Sequence, residues 1–101
     1  MININMNALM QQAQRMQKDM QKKQEEINNS EYTGTSELVD VVMMGDKTIK
    51  KVSIKNKSID SEDIEILEDM IAIAVNDAIG KINKDIDSKM GMYGKQLGGL
   101  F

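Results

Sequence analysis

Cysteine, histidine, proline and tryptophan are all absent from this chain of 101 residues, and two of these absences restrict its chemistry directly. Without cysteine there is no disulfide and no thiol chemistry, and without histidine the commonest general base and metal ligand is missing. Aromatic side chains number only three, so ten Met and the aliphatic residues supply the apolar content. Because a chain of this length has a limited core of its own, we expect it to form an oligomer.

Long apolar stretches are also absent. The longest unbroken run, 70–75, is far shorter than a membrane span, and residues 1–9 lack the basic start and apolar run of a secretory signal. The lack of cysteine suits a reducing cytoplasm. We therefore expect a soluble cytoplasmic protein without a membrane partner or a small-molecule substrate.

Net positive charge is lacking too, since the formal net charge is −3. Six of the sixteen acidic residues, however, fall within ten positions: Asp60, Glu62, Asp63, Glu65, Glu68 and Asp69. The rest of the chain carries thirteen basic residues against ten acidic ones. The distribution of charge therefore leaves a polyanionic partner open.

The first part of the chain predicts a helix over 7–28, capped by Asn5 or Asn7. Apolar residues recur at alternating steps of three and four, and Lys23 fills the one remaining place: Met6, Leu9, Ala13, Met16, Met20 and Ile27. This heptad spacing is typical of a helix-packing seam. On that seam, Lys23 would either extend to solvent or fix a register.

The outer face of this helix is basic and rich in glutamine. Arg15, Lys18, Lys22 and Lys23 stand against Asp19 alone in its middle. Lys and Arg can neutralise phosphates, and Gln can donate to phosphates or base edges. On composition alone, such a face is more often a solvated helix surface.

The middle of the chain predicts two or three antiparallel strands, at 32–35, 38–44 and 47–54. In the second strand, Val39, Val41 and Met43 alternate onto one face.

The segment between the second and third strands predicts a turn, and the third strand has an irregular apolar pattern. Gly45-Asp46 indicates a two-residue type II′ turn between the second and third strands. In the third strand, Val52 and Ile54 share a face that Ile49 does not, which either a bulge or a two-sided sheet would explain.

A second long helix follows, capped by Asp60 or Ser61 and continuing at helical spacing to Met90. Gly80 lies inside it at a cost of about 1 kcal/mol relative to Ala. Residues 91–101 hold four of the seven glycines and are predicted to form a mobile tail. The fold class is therefore α+β, with one domain over 1–101 and a small antiparallel sheet between two long helices.

Catalytic and metal sites find little support in the sequence. Asp60, Glu62 and Asp63 stand where helix-capping acids are ordinary, and apolar helix-core residues interrupt any calcium-loop spacing. There is no glycine-rich phosphate loop and no nucleophile paired with a base. We predict no catalysis, no cofactor and no metal.

A stretch without acids contains five lysines: Lys47, Lys50, Lys51, Lys55 and Lys57. These could contact phosphates, or they could keep an exposed edge strand soluble. The second interpretation is favoured.

Taken together, the segments of this chain resemble the YbaB/EbfC family of nucleoid-associated proteins. The resemblance rests on 8–17 (ALMQQAQRMQ), Thr33-Gly34, Leu38-Val39, Gly45, 50–54 (KKVSI), 62–71 (EDIEILEDMI), Asn76-Asp77-Ala78, Lys81, Met90 and the closing Gly-Gly-Leu-Phe. Two departures concern loop and tail: 35–37 stands in place of a glycine-rich run, and the tail has no proline.

The resemblance implies a homodimer whose long helices project like tweezers and engage duplex DNA in the nucleoid, affecting nucleoid organisation and gene expression. The residues it singles out for DNA binding are Arg15, Lys18, Lys22, Lys23, Lys81, Lys84 and Lys89. The alternative is a protein-interaction or chaperone-like module that uses the methionine-rich first helix.

Overall fold

The computed structural model describes residues 5–97, and their side chains as far as Tyr93. The described chain consists of two long helices and a small antiparallel sheet, which confirms the predicted α+β class. The elements are α1 (Met6–Asn28), β1 (Glu31–Thr35), β2 (Val39–Met44), β3 (Ile49–Ile54) and α2 (Ile64–Leu97), with a short 3₁₀ turn at Ser61–Asp63.

Polar side chains set the start of both helices. The Asn5 side chain accepts the backbone N–H of Ala8 at 3.3 Å, which identifies Asn5 rather than Asn7 as the cap of α1. Before α2, the Asp63 carboxylate accepts the backbone N–H of Asp60 at 3.3 Å. The acids at this start thus act as helix-capping residues, as the sequence predicts.

The second helix is longer than its apolar pattern predicts, because α2 continues to Leu97. Tyr93, which is 6% exposed, is buried against α1 and anchors this last part of the helix. The predicted tail at 91–101 therefore begins as helix, and its mobility stays a prediction. Its last residues, 98–101, lie outside the described part of the chain.

The sheet is antiparallel in the order β1-β2-β3, so β2 lies in the centre. Val39, Val41 and Met43 are buried, which confirms the face predicted for them. Against them α2 places its own buried residues: Ala74, Ala78 and Ile82. The core thus lies between α2 and the first two strands, and α2 packs on β1 and β2.

The predicted two-residue turn at Gly45-Asp46 is wrong, because the loop has a third residue, Lys47. Met44 accepts the N–H of Lys47 and donates its own N–H to Thr48, both at 2.8 Å. Lys47 takes the left-handed conformation, with φ at 70°, while Gly45 does not. The Asp46 carboxylate accepts the N–H and hydroxyl of Thr48, and these bonds lower the pKa of Asp46.

Two glycines are needed for close approach rather than for backbone freedom. A Cβ at Gly45 would lie 1.8 Å from the carbonyl oxygen of Ile27, at the end of α1. A Cβ at Gly34 would lie 2.0 Å from the carbonyl oxygen of Ala74 and 2.5 Å from the nitrogen of Ala78. These glycines let the hairpin turn touch α1 and let β1 touch α2.

A bulge accounts for the irregular third strand, which decides between the two alternatives. Val42 pairs with Lys51, whereas Met43 pairs with Ile49, so Lys50 is the extra residue. The bulge places Ile49 on the same face of the sheet as its partner Met43, and this is the face turned toward the core.

Candidate nucleic-acid interface

Three of the predicted basic residues lie together on one face of α1. At 100° per residue, Arg15, Lys18 and Lys22 fall within about 60° of one another around the helix axis. All three are exposed, and none takes part in the four ion pairs found within residues 5–97. We call these three residues the basic strip.

The opposite side of α1 packs against α2. Met16 and Met20 are half-buried on this side and Ile27 is fully buried, as predicted for a helix-packing seam, whereas Met6, Leu9 and Ala13 of the predicted seam are exposed. The Lys23 ammonium lies 4.9 Å from the centre of the Tyr93 ring, a cation–π contact, and the Tyr93 side chain raises the pKa of Lys23. Lys23 therefore joins the two helices, which favours the register interpretation, and of the basic strip only Arg15 lines the same hollow beside Tyr93.

Two of the three α2 lysines predicted for DNA binding contact other parts of the chain. The Lys81 ammonium donates to the carbonyl oxygen of Thr33 at 2.7 Å and lies 3.3 Å from the Asp77 carboxylate. The Lys89 ammonium lies 3.0 Å from the Asp85 carboxylate. Each of these cations thus has an acidic neighbour one turn away on its own helix.

The third α2 lysine, Lys84, is exposed and forms no ion pair within the described part of the chain. It lines an open hollow of about 460 Å³ together with Tyr32, Lys81, Asp85 and Ser88. The three predicted lysines of α2 therefore do not form one cluster of unpaired cations. Of the three, only Lys84 is exposed without an ion pair, as the residues of the basic strip are.

This part of α2 has a second role that the sequence did not reveal, which is to bind the outer edge of β1. The Asp77 carboxylate accepts the N–H of Thr35 at 2.9 Å, and that hydrogen bond, with Lys81 nearby, lowers the pKa of Asp77. Lys81 donates to Thr33 two residues earlier on the same edge. The available signal was the alternation of acid and base at every fourth position from Asp77 to Lys89.

A tyrosine extends this network toward the end of α1. The Tyr32 hydroxyl donates to the Asp85 carboxylate. Burial, followed by this hydrogen bond, raises the pKa of Tyr32 to about 12, and the same bond together with Lys89 lowers the pKa of Asp85. The residues from Tyr32 to Thr35 are thus fastened to α2 by side chains as well as by packing.

The lysines of the third strand are partly engaged across the sheet. Lys50 pairs with Glu31, and the Lys55 ammonium lies 3.3 Å from the Asp40 carboxylate. β3 is an edge strand, where lysine commonly prevents unwanted pairing, so these contacts agree with the favoured interpretation.

Neither a metal centre nor a membrane-spanning helix occurs over residues 5–97. Within that range no three acidic side chains converge in a way that could hold a metal ion. Neither described helix combines the length and apolar character required to cross a membrane.

Comparison with known proteins identifies the family. The profile of the YbaB/EbfC DNA-binding family matches residues 2–97. A nucleoid-associated protein of Lactococcus lactis subsp. lactis is 47% identical over 96 residues, which cover 93% of this chain and 97% of the relative. A nucleoid-associated protein of Enterococcus faecalis is 42% identical over 98 residues, covering 95% and 94%. One from Ligilactobacillus salivarius is 38% identical over 102 residues, covering 99% and 98%. This chain belongs to the YbaB/EbfC DNA-binding family.

Proposed function

We propose that this protein is a non-catalytic, nucleoid-associated protein of the bacterial cytoplasm that binds duplex DNA through the basic strip. The observation that carries the proposal is the row of three exposed cations on α1, none of them paired with an acid of the described chain. Arginine and lysine in such a row neutralise backbone phosphates and release counterions. The relatives' names, nucleoid-associated protein, support the same role.

The dimensions of α1 suit a duplex. With 23 residues, α1 is about 34 Å long, close to the length of one duplex turn. The basic strip begins at Arg15, beyond the first two turns of the helix, so a duplex lying along α1 would meet all three cations.

The negative net charge does not by itself oppose this proposal, because six of the sixteen acidic residues lie in one cluster far from the strip and leave thirteen basic residues against ten acidic ones in the rest of the chain. The acidic cluster surrounds the start of α2, whereas α1 packs near Tyr93, close to the other end of that helix. From Glu65 to Tyr93, α2 rises by about 40 Å. That distance is several Debye lengths at physiological salt, so the acids scarcely weaken the field of the strip.

We propose further that the protein acts as a homodimer, because two apolar surfaces of the chain, one on β3 and one on α2, are left uncovered. Ile49, Val52 and Ile54 are 51%, 45% and 42% exposed, although they lie on the face of the sheet that carries α2. Ile66 and Ile73, on the side of α2 away from the core, are also about half exposed. A second copy packed on these residues would cover both surfaces and present two basic strips.

A salt titration tests the DNA-binding proposal. Each phosphate contact contributes about −0.9 to the slope of log K against log salt, so two strips of three cations give about −5. Replacing Lys18 and Lys22 by Gln removes four contacts per dimer and should reduce the slope by about 3.6. Fluorescence anisotropy with a labelled duplex measures both values.

The matched control is Lys57→Gln, which removes the same charge from an exposed loop position outside the strip. This variant should keep the slope of the unmodified protein. The proposal fails if the duplex does not bind at low salt, or if the slope is the same with and without Lys18 and Lys22.

A further inference from the structure

The apolar seam of α1 is covered along only part of its length. Met16 and Met20 are half-buried against α2, whereas Leu9 and Ala13, which continue the same spacing toward the start of the helix, are exposed. Leu9 is 49% exposed. Residues 6–15 alone would make a short helix, and short helices are marginal in water unless they pack an apolar face. The first half of α1 therefore needs an apolar partner for its seam.

The end of α2 is directed at this uncovered part of the seam. The two helices run antiparallel, because α1 ends at the sheet, whereas α2 leaves the sheet and reaches Lys23 with Tyr93. The helix continues for four residues beyond Tyr93, which advances it by about 6 Å and brings Leu97 level with about Asp19 of α1. The axis of α2 thus points along α1 toward the part of the seam that α2 itself does not cover.

The four residues that follow α2 have the composition and the length to reach this surface. Their sequence is Gly98-Gly99-Leu100-Phe101, and they lie outside the described part of the chain. Two glycines disfavour continuation of the helix, and both residues after them are large and apolar. At up to about 3.5 Å per residue, Leu100 can lie about 10 Å beyond Leu97. Ala13 lies about 9 Å along α1 from the level of Asp19, so it is within that reach.

We propose that Leu100 and Phe101 fold back onto Leu9 and Ala13 of the same chain and hold the first half of α1 as a helix. This contact takes the place of the mobility that the glycines of 91–101 predict. An occupant tethered through a few residues has a far higher effective concentration at the seam than a second molecule has. At 100° per residue, Leu9 and Ala13 lie about 120° to 180° around α1 from the basic strip, so the contact leaves the strip open.

The chain has no cysteine, so two introduced cysteines report this contact directly. In the full chain with Ala13→Cys and Leu100→Cys, oxidised glutathione should form a disulfide within one chain, because such a bond requires Cα atoms within about 7 Å. The matched control is Gln14→Cys with Leu100→Cys, since Gln14 is exposed and adjacent but lies about 100° further around the helix. Non-reducing denaturing electrophoresis with peptide mass analysis measures both rates. We expect the Ala13 pair to react about tenfold faster.

A second measurement leaves the seam of α1 unchanged. Replacing Leu100 and Phe101 by Ser removes the apolar contact, so hydrogen exchange of the amides at 10–16 should become about tenfold faster. Equal disulfide rates for the two cysteine pairs overturn the proposal, as does a disulfide that joins two chains, which would make the occupant a second copy. Exchange that is equally fast with and without Leu100 and Phe101 also overturns it. Neither measurement involves DNA, so this proposal and the DNA-binding proposal fail separately.

Discussion

The two edges of the sheet differ in whether side chains of α2 bind their outward-pointing backbone groups. On the outer edge of β1, Thr35 donates to Asp77 and Thr33 accepts from Lys81, so α2 satisfies backbone groups that would otherwise point to solvent. On the outer edge of β3, no such hydrogen bond occurs within residues 5–97. That strand instead carries lysines, a bulge at Lys50 and exposed Ile and Val side chains.

This difference shows how one small sheet can direct its own assembly. An open edge is a template for pairing, and a sheet with two open edges can grow without limit. Closing the β1 edge with α2, and placing lysines along the β3 edge, leaves the uncovered apolar face of β3 as the surface that a second copy would approach. The arrangement thus favours a closed pair over a chain of subunits.

The largest effect should come from forcing α2 away from β1. Gly34→Ala places a Cβ 2.0 Å from the backbone of Ala74, so we expect the free energy of unfolding to fall by about 3 kcal/mol. Urea denaturation followed by circular dichroism measures the change. Gly80→Ala is the control, because a Cβ there meets nothing within 4 Å and should stabilise the helix by about 1 kcal/mol. Equal effects of the two substitutions would contradict the close approach.

The next largest effect should be a loss of dimer stability when the uncovered face of β3 is changed. Val52→Lys puts a charge on the uncovered face of β3, and we expect the dimer to weaken by about 2 kcal/mol, or roughly 30-fold in its dissociation constant. Light scattering over a concentration series should show twice the 11.4 kDa chain mass for the unmodified protein and a shift toward the single-chain mass for the variant. Lys51→Gln, on the other face of the same strand, should leave the mass unchanged. If the unmodified protein is monomeric at every concentration, the uncovered face of β3 is not a dimer interface.

The smallest effect is a pH dependence at the closed edge. The pKa of Asp77 lies below its ordinary value of 3.8, so its stabilising contribution is complete above that pH and is lost as the pH falls through the lower, folded-state value. Asp77→Asn keeps an acceptor for Thr35 but has no charge to titrate. We therefore expect the urea midpoint of this variant to fall less steeply from about pH 5 to about pH 2, a window that spans the ordinary pKa and the lower pKa of the folded state. Parallel curves for the two proteins would show that the Asp77 charge does not contribute.

What the sequence predicted correctly depends on local periodicity. The heptad spacing identified α1 and its seam at Met16, Met20 and Ile27, and strict alternation identified the buried face of β2. Both patterns repeat within a few residues, so they can be recognised in the sequence without knowledge of contacts between distant segments.

What the sequence did not show depends on contacts between distant segments. Gly45 suggested a turn preference, whereas its role is to touch Ile27, which belongs to another element. Likewise Lys81 was predicted for DNA, yet its partner Thr33 lies 48 residues away in the sequence. The use of the first helix as a chaperone-like clamp, and the roles of the individual lysines on DNA, stay predictions.

The contact between Gly45 and Ile27 has a mechanical consequence. It fixes the last turn of α1 to the sheet, and the Lys23–Tyr93 contact holds the middle of this helix on α2, so α1 and the end of α2 would tilt together about the hairpin turn. Over about 33 Å, a tilt of only about 5° at the pivot displaces the tip by about 3 Å, close to the rise of one base pair. With a duplex bound along α1 as proposed, small changes at this turn would therefore alter which groove position the far end of the helix reaches.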